Sequence, residues 1–160
     1  MRSLGVMLLL AFLVIACDDK RIYEKNQDFD NRQWLITEKP SFEFAIEDTS
    51  SKYNLYFNVR NEVSYPKANL YFTYYIADST GKEIQKKLRS EYLFDKKTGK
   101  PFGSSGLGDI YDHQIPIANQ LQFKHPGKYN VSFEQFMRMD TLPGILAVGL
   151  RVEKIPAEKK

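Results

Sequence analysis

The sequence predicts an all-β fold, an antiparallel β-sandwich of the jelly-roll or immunoglobulin-like type. Five stretches alternate apolar and polar residues with period two, which gives each predicted strand one buried face. Aromatic residues make up 14% of the chain, and aromatic side chains fit the half-buried surface of a sheet. Residues that favour turns separate the alternating stretches, at spacings typical of short antiparallel strands.

Three of the predicted strands lie between residues 42 and 76, and the other two lie between residues 129 and 152. The alternating stretches are residues 42–46, 53–59, 70–76, 129–133 and 146–152. Asp78–Lys82 suits a hairpin turn with Gly81 at the positive-φ position, and Pro126-Gly127 and Pro143-Gly144 precede the last two strands. Residues 84–93 fit either a strand or a short helix, residues 133–139 allow a closing helical turn, and residues 95–108 predict a mobile loop.

The N-terminus has the pattern of a lipoprotein signal peptide. Arg2 supplies a positive charge, residues 4–15 are apolar, and Ala16 precedes Cys17. The apolar run is shorter than the roughly 20 residues that a spanning helix needs, but it fits a cleaved signal sequence. The segment Val14–Cys17 resembles the bacterial lipobox, and Cys17 is the only cysteine of the chain. We therefore expect residues 1–16 to be removed and Cys17 to be lipidated.

The sequence then predicts three further regions. Residues 17–32 are polar and predict a lipidated N-terminus and tether, residues 33–155 the sandwich, and residues 156–160 a solvated tail. A second interpretation of the tether remains open, in which Ile22 and Tyr23 dock on the domain. Fully extended, the tether would hold the domain about 50 Å from the lipid.

Charge and motif patterns exclude several classes of function. Removal of the signal peptide leaves 22 basic and 20 acidic residues, a net charge of +2. Because the two signs alternate along the chain, nothing indicates a nucleic-acid partner. His113 and His125 lie outside any HExxH or paired-cysteine pattern, so no zinc site or other cofactor is expected. The glycine-rich segment 103–108 lacks the Lys-Ser/Thr of a phosphate-binding loop.

One acidic segment allows a chemical interpretation. Asp109 and Asp112 lie close in sequence to His113, and the two carboxylates are candidates for calcium binding or for acid–base chemistry. The alternative is that each aspartate bonds to the backbone of its own turn.

Three tyrosines are candidates for a partner surface. Tyr56, Tyr71 and Tyr75 alternate with the apolar residues of their strands, which predicts that they point outward. Exposed aromatic rings favour protein contacts or stacking on sugars. The alternative is that another segment covers them.

An ordered series of short motifs resembles one family. Because their order and spacing agree along nearly all of the mature chain, the sequence is similar to the GldH gliding-motility lipoproteins of the Bacteroidota. The matching segments are Cys17, Arg21–Glu24, Trp34, Tyr53–Asn61, Tyr65-Pro66, Asn69–Phe72, Gly106–Ile110, Phe123, Pro126–Tyr129, Phe133–Arg138, Leu142–Ile145 and Val148–Glu153.

The resemblance implies a function in the cell envelope. It implies a lipid-anchored, non-enzymatic protein that supports gliding motility and the associated type IX secretion machinery through contacts with envelope proteins. Only Cys17 transfers as a functional residue. Asp18-Asp19 departs from the usual outer-membrane pattern of enterobacteria, but we expect the outer membrane rather than the inner one. A glycan- or substrate-binding surface lipoprotein is the alternative.

Overall fold

The computed structural model describes residues 20–106 and 108–155, and this part of the chain forms eleven β-strands. A single 3₁₀ turn at Asp30–Arg32 interrupts them within those ranges. The strands are β1 Arg21–Asp28, β2 Gln33–Leu35, β3 Ser41–Ile46, β4 Lys52–Glu62, β5 Asn69–Asp78, β6 Glu83–Tyr92, β7 Ser104–Ser105, β8 Ile110–Leu121, β9 Gly127–Gln135, β10 Thr141–Pro143 and β11 Ile145–Ile155.

The strands form two main sheets and a small ribbon. The five-stranded sheet has the order β1-β11-β4-β8-β7, and the four-stranded sheet has the order β3-β9-β5-β6. Strands β10 and β2 pair separately. Every pair is antiparallel. The predicted all-β antiparallel sandwich is therefore confirmed.

An aromatic core joins the two large sheets. The ring of Phe57 in β4 lies 4.2 Å from that of Phe72 in β5 and 4.6 Å from that of Phe133 in β9, centroid to centroid. All three rings are fully buried. Because β4 belongs to one sheet and β5 and β9 to the other, these rings fix which face of each sheet points inward. The period-two pattern assigned these inward faces correctly.

The structure favours the docked interpretation of residues 21–28 over the free tether. These residues form β1, which pairs along its length with β11 at the edge of the five-stranded sheet. Phe29, which follows, is buried and stacks on Trp34 at a centroid distance of 5.4 Å. Of the two residues expected to dock, Tyr23 packs against the core with its ring 6.0 Å from that of Phe44, whereas Ile22 is 41% exposed. The rest of the strand is polar, because an edge strand is held by backbone pairing.

Three other segments settle into defined forms. Residues 84–93, which allowed a strand or a helix, lie mainly in β6. Strand β9 ends at Gln135, and no helix follows it within residues 136–140. In the segment predicted as a mobile loop, residues 95–108, Pro101 forms an isolated β-bridge with Phe94, and β7 pairs with β8.

The predicted signal peptide, Cys17 and the tail at 156–160 lie outside the described residues. Within the described ranges, no helix has the length and apolar character needed to cross a bilayer.

Candidate partner surface

The three candidate tyrosines lie on opposite faces of the sandwich. Tyr71 and Tyr75 belong to β5 and point away from the core on the four-stranded sheet, because they alternate with the buried Phe72. Tyr56 belongs to β4 and points outward from the five-stranded sheet, because it precedes the buried Phe57. The structure therefore brings Tyr71 and Tyr75 together and separates Tyr56 from them.

Tyr71 belongs to an outer apolar patch, which we define as Tyr71, Leu88, Phe136 and Met137. The exposed fractions of the first three are 42%, 49% and 54%. Phe136 follows the end of β9, and its backbone N–H donates to the carbonyl oxygen of Tyr71 at 2.8 Å. The N–H of Tyr71 in turn contacts Sδ of Met137 at 3.0 Å. Together with Arg138, these residues line a groove of about 450 Å³.

Sequence reasoning missed Leu88 and Phe136. Leu88 lies in the segment whose secondary structure was ambiguous, so its side could not be assigned. Phe136 lies two residues after Glu134, so extending the strand pattern of β9 predicts that it points outward. The helical turn expected at residues 133–139 does not allow that extension.

Tyr75 lies beside this patch and already has partners. Its hydroxyl donates to Glu134 at 2.5 Å, and this hydrogen bond, together with burial, raises the pKa of Tyr75 to about 12. The ammonium of Lys39 lies 3.7 Å from the ring centroid, and that of Lys86 lies 5.0 Å from it. Tyr75 therefore stays neutral at physiological pH and carries two cations at the border of the patch.

Tyr56 belongs to a network of charged and amide side chains on the other face. Its hydroxyl donates to Glu153 at 3.2 Å, and Arg151 bonds to both Glu153 and Glu24 at 2.7 and 3.0 Å. Burial raises the pKa of Glu24, but hydrogen bonds from Arg21 and Asn58 and the charge of Arg151 outweigh it, so the net pKa is lowered. Tyr56 is thus held within a polar surface.

A polar cavity of about 410 Å³ opens on this same face. Asn58 in β4 is at its centre and donates to Glu24 of β1 at 2.9 Å. Gln114 lies beside Asn58 on β8, and Asn26 of β1 lies on its other side across Gly149 of β11, so three side-chain amides form a row across the sheet. Such a row can donate and accept hydrogen bonds with a polar ligand.

The structure does not assemble the acidic segment into one site. Asp112 points outward and receives two hydrogen bonds from Arg60, at 2.8 and 3.2 Å. His113 points inward beside Val59 and is 8% exposed, and burial lowers its pKa. Asp109 lies exposed in the preceding turn, where its carbonyl oxygen accepts from the N–H of Val63 at 2.7 Å. Among residues 20–106 and 108–155, no three His, Cys, Asp or Glu side chains are placed to share a metal ion.

Comparison with known proteins decides the family. The family model described as GldH lipoprotein matches residues 21–152, which span β1 to most of β11. The chain belongs to the GldH lipoprotein family. The resemblance seen in the motifs is thereby confirmed.

Two GldH relatives match along nearly their whole length. The chain is 32% identical to the "Gliding motility lipoprotein GldH homolog" of Christiangramia forsetii over 96% of this chain and 98% of that protein. It is 29% identical to the "Gliding motility lipoprotein GldH" of Flavobacterium johnsoniae, over 96% of this chain and 97% of that one. GldH membership places the chain among lipid-anchored proteins of the cell envelope, in agreement with the lipobox.

Among solved structures, this GldH-family chain has a distant likeness to a viral protein. The crystal structure of the infectious bursal disease virus VP2 subviral particle matches 97% of this chain and 38% of that chain, with 12% identity and a TM-score of 0.39. A likeness of this size supports no conclusion about function.

Proposed function

We propose that this GldH-family lipoprotein is a non-enzymatic docking module of the envelope, anchored through lipid on Cys17. It supports gliding motility and the associated type IX secretion machinery by binding an envelope protein. The observation that carries the proposal is the outer apolar patch, where Leu88 and Phe136 are about half exposed beside Tyr71. Exposed aromatic and aliphatic side chains that cluster on one face are typical of protein contact surfaces.

The border of the patch indicates the chemistry of the partner. Lys39 and Lys86 lie on the ring of Tyr75, and Arg138 lines the groove. Two carboxylates, Glu134 and Glu83, act on Tyr75 here, and Glu134 accepts the hydrogen bond of the Tyr75 hydroxyl. We therefore propose a protein partner with an apolar centre and acidic side chains around it, since opposite charges steer association.

The contacts of the acidic segment support a non-enzymatic role. The carboxylate of Asp112 is engaged by Arg60, and the ring of His113 points to the opposite side of the sheet. An acid–base pair needs both groups within reach of one substrate atom.

A patch variant in the native host tests the proposal. Leu88→Ser with Phe136→Ser removes two exposed apolar side chains, and Val63→Ser, at 45% exposure and outside the patch, is the matched control. We expect the double variant to be folded and membrane-bound but to lose the cross-linked partner, colony spreading and type IX export. The control should retain all three. Wild-type cross-linking and spreading by the double variant would contradict the proposal.

The membrane is a separate part of the proposal. We propose the outer membrane, despite Asp18-Asp19 after the lipidated cysteine. Density separation of the two membranes, followed by immunoblotting, tests this assignment. Recovery with inner-membrane markers would contradict it.

A second candidate function rests on the polar cavity of the five-stranded sheet. The amide row around Asn58 suits the hydroxyl groups of a glycan, whereas Tyr56, Tyr71 and Tyr75 do not form one stacking surface. Binding on a glycan array that is lost in Asn58→Ala would favour this function. Array binding that persists in this variant, or no binding at all, would remove it.

A further inference from the structure

The first described residues fix where the lipid must lie relative to the sandwich. Lys20 is already attached to the sheet, because its carbonyl oxygen accepts from the N–H of Lys154 at 2.7 Å. Two residues, 18 and 19, separate Lys20 from Cys17. Even fully extended chain spans at most about 3.3–3.6 Å per residue, so the Cα atom of Cys17 lies within about 11 Å of that of Lys20.

One end of the sandwich lies nearest this point, and we call it the anchor-proximal end. It consists of the turn at residues 47–51, the hairpin turn at 79–82 and the loop at 122–126. The antiparallel order of the strands places the start of β1 beside the end of β11, the start of β4 and the end of β8. Two contacts tie these elements together. Lys154 pairs with Asp48 at 2.8 Å, and Gln122 donates to the carbonyl oxygen of Thr49 at 3.1 Å.

The opposite end lies one strand length away. Strand β4 has 11 residues, and its rise of about 3.3 Å per residue makes it about 33 Å long. The loop that contains Lys97 is at that far end, beyond the reach of the short segment before Lys20.

We propose that the anchor-proximal end rests on the lipid headgroups of the bilayer, so that the sandwich stands upright on the membrane. This inference rests on the lipid anchor at Cys17 in the proposed function. It goes beyond that function because it assigns a second contact surface and an orientation.

The chemistry of the anchor-proximal end fits headgroup phosphates. A cleft of about 840 Å³ lies between the hairpin turn and the loop at 122–126. Basic side chains attract the phosphates of a membrane surface. The charged side chains that line the cleft, with His125, are Lys82, Lys124 and Lys128 against Asp78 and Glu83. Lys128 also pairs with Glu43 at 2.7 Å, so Lys82 and Lys124 are the cations we expect to meet the phosphates.

Two acids at this end are engaged by hydrogen bonds within the protein, whereas Glu47 is exposed. Asp48 accepts hydrogen bonds from Ser50 and Ser51 as well as pairing with Lys154. Asp78 accepts from the backbone N–H groups of Thr80 and Lys82. Both carboxylate oxygens of Asp48 and Oδ1 of Asp78 are thus occupied, whereas Lys124 and His125 are exposed on the loop.

An upright orientation also leaves the outer apolar patch open. Tyr71 lies seven residues before Asp78, where the hairpin turn begins, which is about 23 Å along the strand. If the four-stranded sheet lay flat on the bilayer, headgroups would cover Tyr71 and Phe136. The upright orientation places the patch away from the lipid and towards protein partners.

Single-cysteine reporters test the orientation in the lipidated protein. Lipid blocks the thiol of Cys17, the only native cysteine, so an introduced cysteine is the one site for a fluorophore. Lys124→Cys reports on the anchor-proximal end, Lys97→Cys on the far end and Ser90→Cys on the four-stranded face; all three positions are exposed. The labelled proteins are reconstituted in phosphatidylethanolamine–phosphatidylglycerol vesicles that carry a nitroxide quencher on the headgroup.

We expect severalfold stronger quenching at position 124 than at positions 97 and 90. Equal quenching at 124 and 90 would show that the sandwich lies on its side, and strongest quenching at 97 would show the reverse orientation; both results overturn the proposal. Flotation of the vesicles comes first as the control. Protein that does not float contradicts the lipid anchor itself, whereas floating protein with the wrong quenching pattern contradicts only the orientation.

Discussion

Replacing Phe57 by alanine is the most direct test of the core. Phe57 is fully buried, and its ring contacts Phe72 and Phe133 of the facing sheet at 4.2 and 4.6 Å. Truncating a buried phenylalanine costs about 3–5 kcal/mol, because transfer energy is lost and a cavity remains. Aromatic pairs add about 0.5–1.5 kcal/mol beyond burial. We therefore expect Phe57→Ala to lower the free energy of unfolding by about 4–5 kcal/mol.

Urea denaturation of the non-lipidated Cys17→Ser chain measures this loss. A domain of this size has about 5–15 kcal/mol of stability, so the variant should still fold. The denaturation midpoint should fall while the slope with urea stays the same. Phe136→Ala is the matched control, because this phenylalanine is 54% exposed and its truncation should change stability by no more than about 0.5 kcal/mol.

Two results would refute the reasoning. A loss below about 1 kcal/mol for Phe57→Ala would mean that its ring does not fill the space between the sheets. A larger loss for Phe136→Ala than for Phe57→Ala would mean that the inward and outward phases are exchanged.

Three further predictions concern the edge strand, the buried histidine and the acidic segment. A Cβ at Gly149 would lie 2.5 Å from a backbone oxygen of β1, so Gly149→Ala should lower the free energy of unfolding, measured by urea denaturation, by about 1–3 kcal/mol. The control is Gly106→Ala, whose Cβ would meet its nearest atom at 3.5 Å and whose stability should be nearly unchanged. Equal losses of stability in the two variants would contradict the close approach of β1. Burial lowers the pKa of His113 in the folded state, so the unfolded chain binds the proton first as the pH falls. The wild type should therefore lose stability relative to His113→Gln below about pH 6.5. Parallel profiles of stability against pH for the two proteins would contradict the burial of His113. Asp109→Ala with Asp112→Ala should leave colony spreading unchanged in the native host, and loss of spreading by a folded, membrane-bound variant would support an acid–base or metal role.

The sequence predicted the fold well where strands have one buried face. In β3, Phe42, Phe44 and Ile46 alternate with exposed residues, and the structure buries all three. The same alternation identified the inward rings of β4 and β9. The period-two pattern predicts these strands because one face of each strand packs on the core and the other faces solvent.

The edges of the sheets could not be predicted in this way. Strand β1 is polar except for Ile22 and Tyr23, and it pairs closely with β11 because Gly149 has no side chain. Strand β6 is also an edge strand, with Lys87 and Arg89 in the phase that would otherwise face the core. Charged residues protect such edges from aggregation, and they also erase the alternating pattern.

The candidate surface was predicted only in part. Outward phase identified Tyr71, Tyr75 and Tyr56, but one strand's pattern does not say which sheet it joins. The pairing of β5 with β9 brings Phe136 next to Tyr71, and the pairing of β4 with β8 and β11 takes Tyr56 to the other face. Contacts between residues distant in sequence therefore define the patch.

The central claim is that lipid on Cys17 attaches this sandwich to the envelope. Mass spectrometry of the N-terminal peptide from membrane-extracted protein tests it most directly. We expect a peptide that begins at Cys17 and carries the mass of attached acyl chains. The Cys17→Ser variant protein should move to the soluble fraction. A peptide that still begins at Met1, with an unmodified thiol at position 17, would contradict the claim.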